Sequence, residues 1–283
     1  MTLRPEPSFI LSLIKLTRLG NLVIIGLAQY FTAGFLVEKK LVADPKLLLL
    51  SVSTVLIAAA GYIINDYYDI KIDLINKPGR VVVGKSITRR IALFFHIFLS
   101  GTGILIGFFL SLWIGLTNLF CAFLLWFYSN YLKRQPFIGN FSIALLTLFS
   151  IGVVSLLYPG HHTWIIVYAV FAFLITLIRE IIKDMEDLKG DNTFGCRTLP
   201  IIWGIRGAKR VIYLILLLFS FLLISVAVYF PAIPLPYFLF LLALLLLFTL
   251  KLKRADTVRD YAKLSLHCKF IMLLGIISMA LHG

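Results

Sequence analysis

The stretch NDYYDIKIDLIN, residues 65–76, places three aspartates directly after an apolar run, Leu47–Ile64, that carries no charged residue. Asp66, Asp69 and Asp73 are spaced by three and then four residues, so a helix would present all three on one face. Like charges on one helix face repel each other, which indicates a cation between them. Because all the candidate ligands are oxygens, the sequence predicts a hard divalent cation, with Mg²⁺ preferred.

A second set of aspartates repeats this spacing. Asp184, Asp187 and Asp191 follow the apolar run Thr163–Leu177 and are again separated by three and four residues. We call Asp66, Asp69 and Asp73 the first aspartate cluster and these three the second. Two matching clusters predict a pseudo-symmetric site that holds metal ions from both sides, with the oxygens of a diphosphate bridging them.

The composition is that of a polytopic membrane protein. Of 283 residues, 60% are hydrophobic and 14% charged, with a mean hydropathy of +0.98; soluble domains carry roughly 25% charged residues. We therefore expect an all-α fold that forms a single membrane domain over residues 1–283. The formal net charge of +14 fits anionic lipid headgroups and an anionic substrate, and no nucleic-acid partner is expected.

Nine apolar segments are long enough to cross a bilayer core of about 30 Å, which takes about 20 residues per helix. The predicted spans are Ile10–Leu36, Leu47–Tyr67, Ile91–Phe109, Leu112–Leu132, Phe137–Leu157, Thr163–Ile182, Val211–Phe230, Pro236–Leu250 and Leu264–Leu281.

The basic residues predict the orientation of these spans. With nine spans, only Lys39, Lys40 and Lys46 of the 27 Lys and Arg residues lie on the side opposite the N-terminus. The positive-inside rule then places the N-terminus and both aspartate clusters in the cytoplasm and the C-terminus outside. We expect an integral protein of the cell or inner membrane with a cytoplasmic active site.

Basic and amide side chains near the clusters are candidates for binding an anion. Arg80 and Lys85 follow the first cluster, and Arg179 and Lys183 share a helix face just before or within the second. Cations aimed at a diphosphate would stabilise its developing charge, although positive-inside anchoring explains a single Lys or Arg equally well. Asn21, within the first span, would hold a phosphate or a metal-bound water, or would hydrogen-bond a neighbouring helix.

The segment Gly79–Ser86 formally matches the phosphate-binding pattern G-x-x-x-x-G-K-[ST]. That motif requires a preceding strand and a following helix within a soluble α/β sheet. Here a membrane helix precedes it, so we reject the nucleotide-binding interpretation.

The two acidic motifs resemble those of the UbiA superfamily of intramembrane prenyltransferases. The first, N-D-x-x-D-x-x-x-D-x-x-N, is followed by Pro78, Arg80 and Gly84; the second is R-E-x-x-K-D-x-E-D-x-x-G-D over 179–191, followed by Thr198-Leu-Pro200. The second motif is similar to that of the ether-lipid branch of the superfamily. The chain departs from the family in having Val81 where proline usually follows Arg80.

The resemblance implies nine helices around a central cavity, with cytoplasmic loops capping it. It implies Mg²⁺-dependent transfer of a prenyl group, geranylgeranyl in the ether-lipid branch, from its diphosphate to the hydroxyl of a lipid acceptor such as geranylgeranylglyceryl phosphate. All six aspartates would bind metal and act in catalysis. The residues that would orient ligands or bind diphosphate are Asn21, Asn65, Asn76, Arg80, Lys85, Arg179 and Lys183.

Other functions remain open from the sequence. An aromatic acceptor in quinone or chlorophyll-type biosynthesis would use the same aspartates. A cation transporter would place its ionisable groups near the bilayer midplane, whereas these lie at the ends of apolar segments. An alcohol phosphotransferase would require a D-G…A-R pairing, which is absent between Asp66 and Asp73.

Overall fold

The computed structural model describes residues 8–79, 81–160, 162–229 and 235–282. In this part of the chain twelve α-helices form, and no strand is present beyond one isolated bridge between Val83 and Ile87. The helices are α1 Phe9–Thr17, α2 Leu19–Phe31, α3 Pro45–Asn76, α4 Arg89–Leu110, α5 Leu112–Asn130, α6 Ile138–Leu157, α7 His162–Glu186, α8 Leu188–Thr193, α9 Leu199–Ile202, α10 Gly204–Tyr229, α11 Leu235–Arg254 and α12 Val258–Ser278.

Within the described residues, nine helical segments are long and apolar enough to cross a membrane, as predicted. They are Leu19–Val37, Pro45–Asn76, Arg89–Leu110, Leu112–Asn130, Ile138–Leu157, His162–Glu186, Gly204–Tyr229, Leu235–Arg254 and Val258–Leu281. The fold class is therefore the predicted all-α membrane bundle.

The first predicted span, Ile10–Leu36, is wrong as a single helix. Arg18 adopts the left-handed conformation (φ 54°, ψ 53°), which ends α1 and starts α2. Its N–H bonds back to the carbonyls of Ile14 and Lys15 and so caps α1. A non-glycine residue in this conformation costs about 1 kcal/mol or more. Hydropathy, from which the span was predicted, does not show where the backbone adopts such a conformation.

Helix α3 is longer than predicted and carries the first aspartate cluster to its end. It starts at Pro45, where the Asp44 side chain accepts the Lys46 N–H at 2.9 Å, and it runs for 32 residues to Asn76. At 1.5 Å per residue its length is about 48 Å, well beyond a bilayer core of about 30 Å. The last turns therefore extend past the hydrocarbon, and the predicted end of the span at Tyr67 is not the end of the helix.

Two later helices also begin earlier than the apolar pattern predicted. Helix α10 starts at Gly204, which has φ 68°, and not at Val211. Helix α12 starts after a capping box formed by Thr257 and Asp260, and not at Leu264. The capping box determines the start of α12, and in both helices polar residues extend the helix beyond its apolar part.

The helices that carry the aspartate clusters lie at the centre of the bundle. In the most apolar windows of α3 and α7, 56% and 61% of residues are buried, against 22–39% in the other spans. Helix α3 packs on α4 and α5, and α7 packs on α6 and α12. The surrounding helices cover the two central ones and expose their own apolar faces to lipid.

The segment after α3 packs back onto the helices. Val82, Val83 and Ile87 are buried in a cluster with Leu16 and Ile63. Turns join α3 to α4 through this segment, without the strand that a nucleotide-binding loop needs. The rejection of that interpretation is therefore consistent with the fold.

Candidate active site

The first aspartate cluster lies on one face of the last turns of α3, as its spacing predicted. Asp69 is buried, and the Asn65 amide donates to its carboxylate at 2.9 Å. Asn65 thus orients an aspartate, which is compatible with the ligand-orienting role expected for it.

Two cations from other parts of the chain pair with this cluster. The Arg18 guanidinium contacts the Asp66 carboxylate at 2.7 Å, and the Lys133 ammonium contacts that of Asp69. Burial opposes the charge of both cations, yet the pKa values of Arg18 and Lys133 lie above their ordinary values because each has a carboxylate beside it. The unusual backbone of Arg18 therefore places its side chain at the first aspartate cluster.

The second aspartate cluster is not continuous on one helix. Asp184 lies in α7, Asp187 stands at the junction after Glu186, and Asp191 lies in α8. The expectation of one helix face is wrong for this cluster, because the backbone at Asp187 (φ −93°, ψ 6°) leaves the α-helical geometry.

Each aspartate of the second cluster has a distinct environment. The Asn140 amide donates to Asp184 at 2.8 Å, and Lys77 contacts Asp187 at 2.7 Å and Glu186 at 3.5 Å. Burial raises the pKa of Asp191 to about 7, with Lys133 opposing the shift and the charges of Asp187 and Asp69 adding to it. The influence of both Lys133 and Asp69 on Asp191 shows that the two clusters are electrostatic neighbours.

Asn76 joins the two clusters directly. Its amide donates to the Asp187 carbonyl at 3.0 Å and accepts the Gly190 N–H at 2.8 Å. A Cβ atom on Gly190 would lie 2.4 Å from this amide, so glycine is required for the contact. The described contacts of Asn76 are thus with protein backbone, and its expected role at the diphosphate remains a prediction.

The predicted cations of α7 share one buried carboxylate. Glu180 binds the Arg179 guanidinium at 2.7 Å and the Lys183 ammonium at 2.9 Å. Lys183 also lies close enough to Asp184 and Asp191 to affect their charge. The structure thus brings Arg179 and Lys183, both predicted from the sequence, to the site.

The other predicted residues divide into three cases. Asn21 lies in α2 and accepts from the Lys269 ammonium at 3.3 Å. Lys85 is exposed and donates to the Pro78 carbonyl at 3.2 Å. Arg80 lies outside the described residues.

Several polar contacts of the site had no role in the sequence prediction. Lys77, Lys133, Asn140 and Glu180 all bond to the predicted residues or to their neighbours. Lys77 and Lys133 looked like interfacial basic residues. Lys77 directly follows the helix that ends in the first aspartate cluster, whereas Lys133 follows α5, which carries no aspartate. Lys269 lies within α12, inside the predicted span Leu264–Leu281, and had no predicted role in the site.

The donor set suits Mg²⁺, although no three Asp, Glu, His or Cys side chains among the described residues converge on one point. Mg²⁺ is usually bound by one or two carboxylates, with substrate phosphates and water completing the shell. An open set of oxygen donors therefore suits this ion better than a closed protein cage would.

An apolar cavity of about 120 Å³ lies deeper in the bundle. Its walls come from α2, α6, α7, α10, α11 and α12 and include Ile25, Phe171, Ile175, Phe219 and Met272. Ile25 is four residues after Asn21, and Ile175 is four residues before Arg179, so the cavity begins about one helical turn beyond these polar residues.

Comparison with known proteins agrees with the geometry. Residues 27–274 match the model of the UbiA prenyltransferase family. The digeranylgeranylglyceryl phosphate synthase of Saccharolobus solfataricus is 34% identical over 281 residues, covering 95% of this chain and 96% of that protein. The enzyme of the same name from Methanosphaera stadtmanae is 32% identical and covers 83% and 87%.

Solved structures show the same fold. A structure of digeranylgeranylglyceryl phosphate synthase has a TM-score of 0.69 at 26% identity and covers 95% of this chain and 96% of that one. A UbiA homologue from Archaeoglobus fulgidus, bound to DMAPP and Mg²⁺, has a TM-score of 0.68 at 16% identity and covers 95% and 99%. Together, the paired aspartate clusters, the helix bundle and the match over most of the sequence show that the chain belongs to the UbiA prenyltransferase family.

Proposed function

We propose that this protein transfers a geranylgeranyl group from its diphosphate to the hydroxyl of geranylgeranylglyceryl phosphate, forming an ether lipid and releasing diphosphate. The observation that carries the proposal is the meeting of two aspartate clusters across the Asn76–Gly190 contact. The names of the relatives support the choice of acceptor.

Six aspartates are proposed to hold Mg²⁺, either directly or through water: Asp66, Asp69, Asp73, Asp184, Asp187 and Asp191. Bound Mg²⁺ would neutralise the diphosphate and make it a better leaving group. Asn65 orients Asp69 through the observed hydrogen bond, and Asn140 does the same for Asp184. Asn76 is proposed to align the two clusters on the diphosphate.

Cations complete the proposed diphosphate site. Lys183 lies beside the second cluster, and Arg80 and Lys85 belong to the segment that follows the first. Hydrogen bonds from these groups would stabilise the charge that develops on the departing diphosphate. Arg179 and Asn21, which were also predicted to bind the diphosphate, lie about one helical turn deeper. We therefore propose that they bind a second anionic group beside it.

The cations that pair with aspartates also have a proposed role. Arg18, Lys77 and Lys133 neutralise three carboxylates that would otherwise repel each other near the membrane. Once metal ions bind those carboxylates, the same cations are positioned to contact the diphosphate oxygens. The charge of the site is thus balanced both before and after substrate binds.

The apolar cavity is proposed to hold a prenyl chain and to keep water away from the reacting carbon. The C–O bond to diphosphate breaks, the allylic carbon becomes cationic, and the acceptor oxygen forms the new ether bond while its proton passes to the departing diphosphate or to an aspartate carboxylate of the clusters. Water in the same place would quench the cation. The apolar wall from Ile25 to Met272 meets this requirement.

We further propose a single membrane domain over residues 1–283, in the cell or inner membrane, with its N-terminus and site in the cytoplasm and its C-terminus outside. The excess of Lys and Arg on the aspartate side supports this orientation. The position of the aspartates at the ends of α3 and α7 also distinguishes the site from a transporter site at the bilayer midplane.

The test is diphosphate release by the purified protein given Mg²⁺ and geranylgeranyl diphosphate, with and without geranylgeranylglyceryl phosphate. Release that requires the lipid acceptor and disappears with a chelator is the expected result. Release with an aromatic acceptor in place of the lipid would move the protein to another branch of the family. Absence of release with any acceptor, from folded protein, would contradict the proposed activity.

A further inference from the structure

A second polar layer lies between the aspartate clusters and the apolar cavity. Tyr62 is four residues before Asp66 on the same face of α3, and Glu180 is four residues before Asp184 in α7. Each is therefore about one helical turn, roughly 5.4 Å, farther from the end of its helix than the aspartate. The Asn21 amide lies beside the Tyr62 hydroxyl, and the Arg179 guanidinium lies within electrostatic range of that hydroxyl.

Helix α12 supplies a lysine to this layer. The Lys269 ammonium donates to the Asn21 side chain at 3.3 Å. The residue before it, Cys268, is fully buried and is influenced by the charges of Arg179 and Glu180. Lys269 and Arg179 therefore approach the layer from neighbouring helices.

The charge of the layer favours an anionic ligand. Glu180 is one carboxylate shared by two cations, Arg179 and Lys183. The Nε atom of Arg179 is buried and has no hydrogen-bond partner among the described residues.

The depth of the layer matches the phosphate of a lipid acceptor. From Pro45 to Tyr62, α3 rises roughly 26 Å, close to the full thickness of a bilayer core. A glycerol backbone places a free hydroxyl only a few bonds from its phosphate, a separation comparable to the helical turn of about 5.4 Å between this layer and the aspartates. An acceptor whose phosphate binds here would have its hydroxyl at the level of the aspartate clusters.

We infer that Lys269 and Arg179, together with the Asn21 amide, bind the phosphate of the glyceryl phosphate acceptor. This inference rests on the proposed function, because it assigns the second substrate of the same site. The phosphate monoester carries nearly two negative charges and offers oxygens to both cations. Glu180 holds Arg179 in position and balances its charge while the acceptor is absent.

The test compares two ligands that differ only in the phosphate. Binding of geranylgeranylglyceryl phosphate and of geranylgeranylglycerol to the detergent-purified protein is measured by calorimetry, without prenyl diphosphate. We expect Lys269→Gln to weaken binding of the phosphorylated lipid about tenfold and to leave binding of the alcohol unchanged. Lys269→Arg should retain most of the affinity, and Lys263→Gln, an exposed change in the same helix, should retain all of it.

Steady-state kinetics give an independent measurement. In Lys269→Gln, KM for the lipid acceptor should rise about tenfold while KM for the prenyl diphosphate stays the same. Equal losses for both ligands or both substrates would indicate that Lys269 only ties α12 to α2, and would overturn the inference. Equally strong, Lys269-dependent binding of phosphatidic acid would also overturn it, because the site would then recognise any phosphate headgroup.

Failure of the proposed function would look different. If the wild-type protein released no diphosphate with any acceptor, the transferase activity itself would be contradicted. If it released diphosphate normally and Lys269→Gln changed neither binding nor KM, only the acceptor-phosphate site would be wrong.

Discussion

At the scale of single residues, the aspartates of the first cluster differ in the partners of their charges. Asp66 and Asp69 pair with Arg18 and Lys133, whereas Asp73 has no ion pair among the described residues. Asp73 therefore experiences repulsion from the other two, and Lys133 and Arg18 attract it only from a distance, without a direct ion pair. Replacing Asp73 should therefore affect metal binding alone, whereas replacing Asp69 should also affect the stability of the fold.

Asp73→Asn should abolish most activity without loss of stability. The change removes a proposed metal ligand and also removes like-charge repulsion, so we expect turnover to fall about 100-fold or more while Tm stays the same or rises. Diphosphate release and thermal unfolding in detergent measure the two effects. Glu38→Gln, in a segment outside the site, is the control; near-normal turnover in Asp73→Asn would contradict the metal role.

Asp69→Asn should lower stability as well as turnover. The change leaves the buried Lys133 ammonium without its carboxylate, and an unpaired buried charge costs about 3–5 kcal/mol. Adding Lys133→Met in the same chain should restore much of the lost Tm but not the activity. Thermal unfolding of the single and double variants tests this. A double variant no more stable than Asp69→Asn would show that the unpaired Lys133 charge does not cause the loss of stability.

At the scale of elements, the second cluster depends on a contact between α3 and α8. Gly190→Ala would place a methyl group within 2.4–2.6 Å of the Asn76 amide, which must then move away from Asp187. Because the contact aligns the two clusters, we expect turnover to fall about tenfold or more. Gly101→Ala, where a Cβ meets nothing within 4 Å, is the matched control and should retain activity.

The start of α3 provides a pH-dependent contribution to stability. Asp44 accepts the Lys46 N–H at 2.9 Å and the Tyr158 hydroxyl at 2.7 Å. The hydrogen bond from the Lys46 backbone contributes most, and the one from the Tyr158 hydroxyl contributes next, to holding the pKa of Asp44 below its ordinary value. Because the pKa of Asp44 is lower in the folded state, its charge stabilises the fold at any pH above the unfolded-state pKa of about 3.8. This stabilisation is lost as the pH falls through the folded-state pKa.

Asp44→Ala should therefore destabilise the protein at neutral pH by about 1–2 kcal/mol, as expected for loss of a cap and a side-chain bond. The difference in Tm from the wild type should shrink as the pH falls below about 3.8. Thermal unfolding across this range measures it. A difference independent of pH would show that the Asp44 charge contributes nothing.

At the scale of the whole molecule, the length of the apolar runs predicted nine membrane-spanning segments, and the acidic spacing predicted that Asp66, Asp69 and Asp73 share one face of a helix. An apolar run of about 20 residues has few alternatives to a membrane helix, and aspartates at the end of such a run are too costly to be accidental. The break at Arg18 and the junction at Asp187 were missed because backbone conformations at non-glycine residues leave no mark in hydropathy. The Lys133 and Lys77 pairs were missed because partners distant in sequence meet only in the folded chain.

The orientation of the bundle follows from its charge and can be tested directly. Lys85→Cys, at an exposed position near the aspartate clusters, should react with a membrane-impermeant maleimide only from the cytoplasmic side, whereas Lys39→Cys should react only from the outside. The native Cys196 and Cys268 are buried, and the half-buried Cys121 is first replaced by serine. Right-side-out and inverted vesicles distinguish the two faces. Labelling of Lys85→Cys from the outside would reverse the topology and with it the proposed cytoplasmic site, since the positive-inside rule would then fail for this chain.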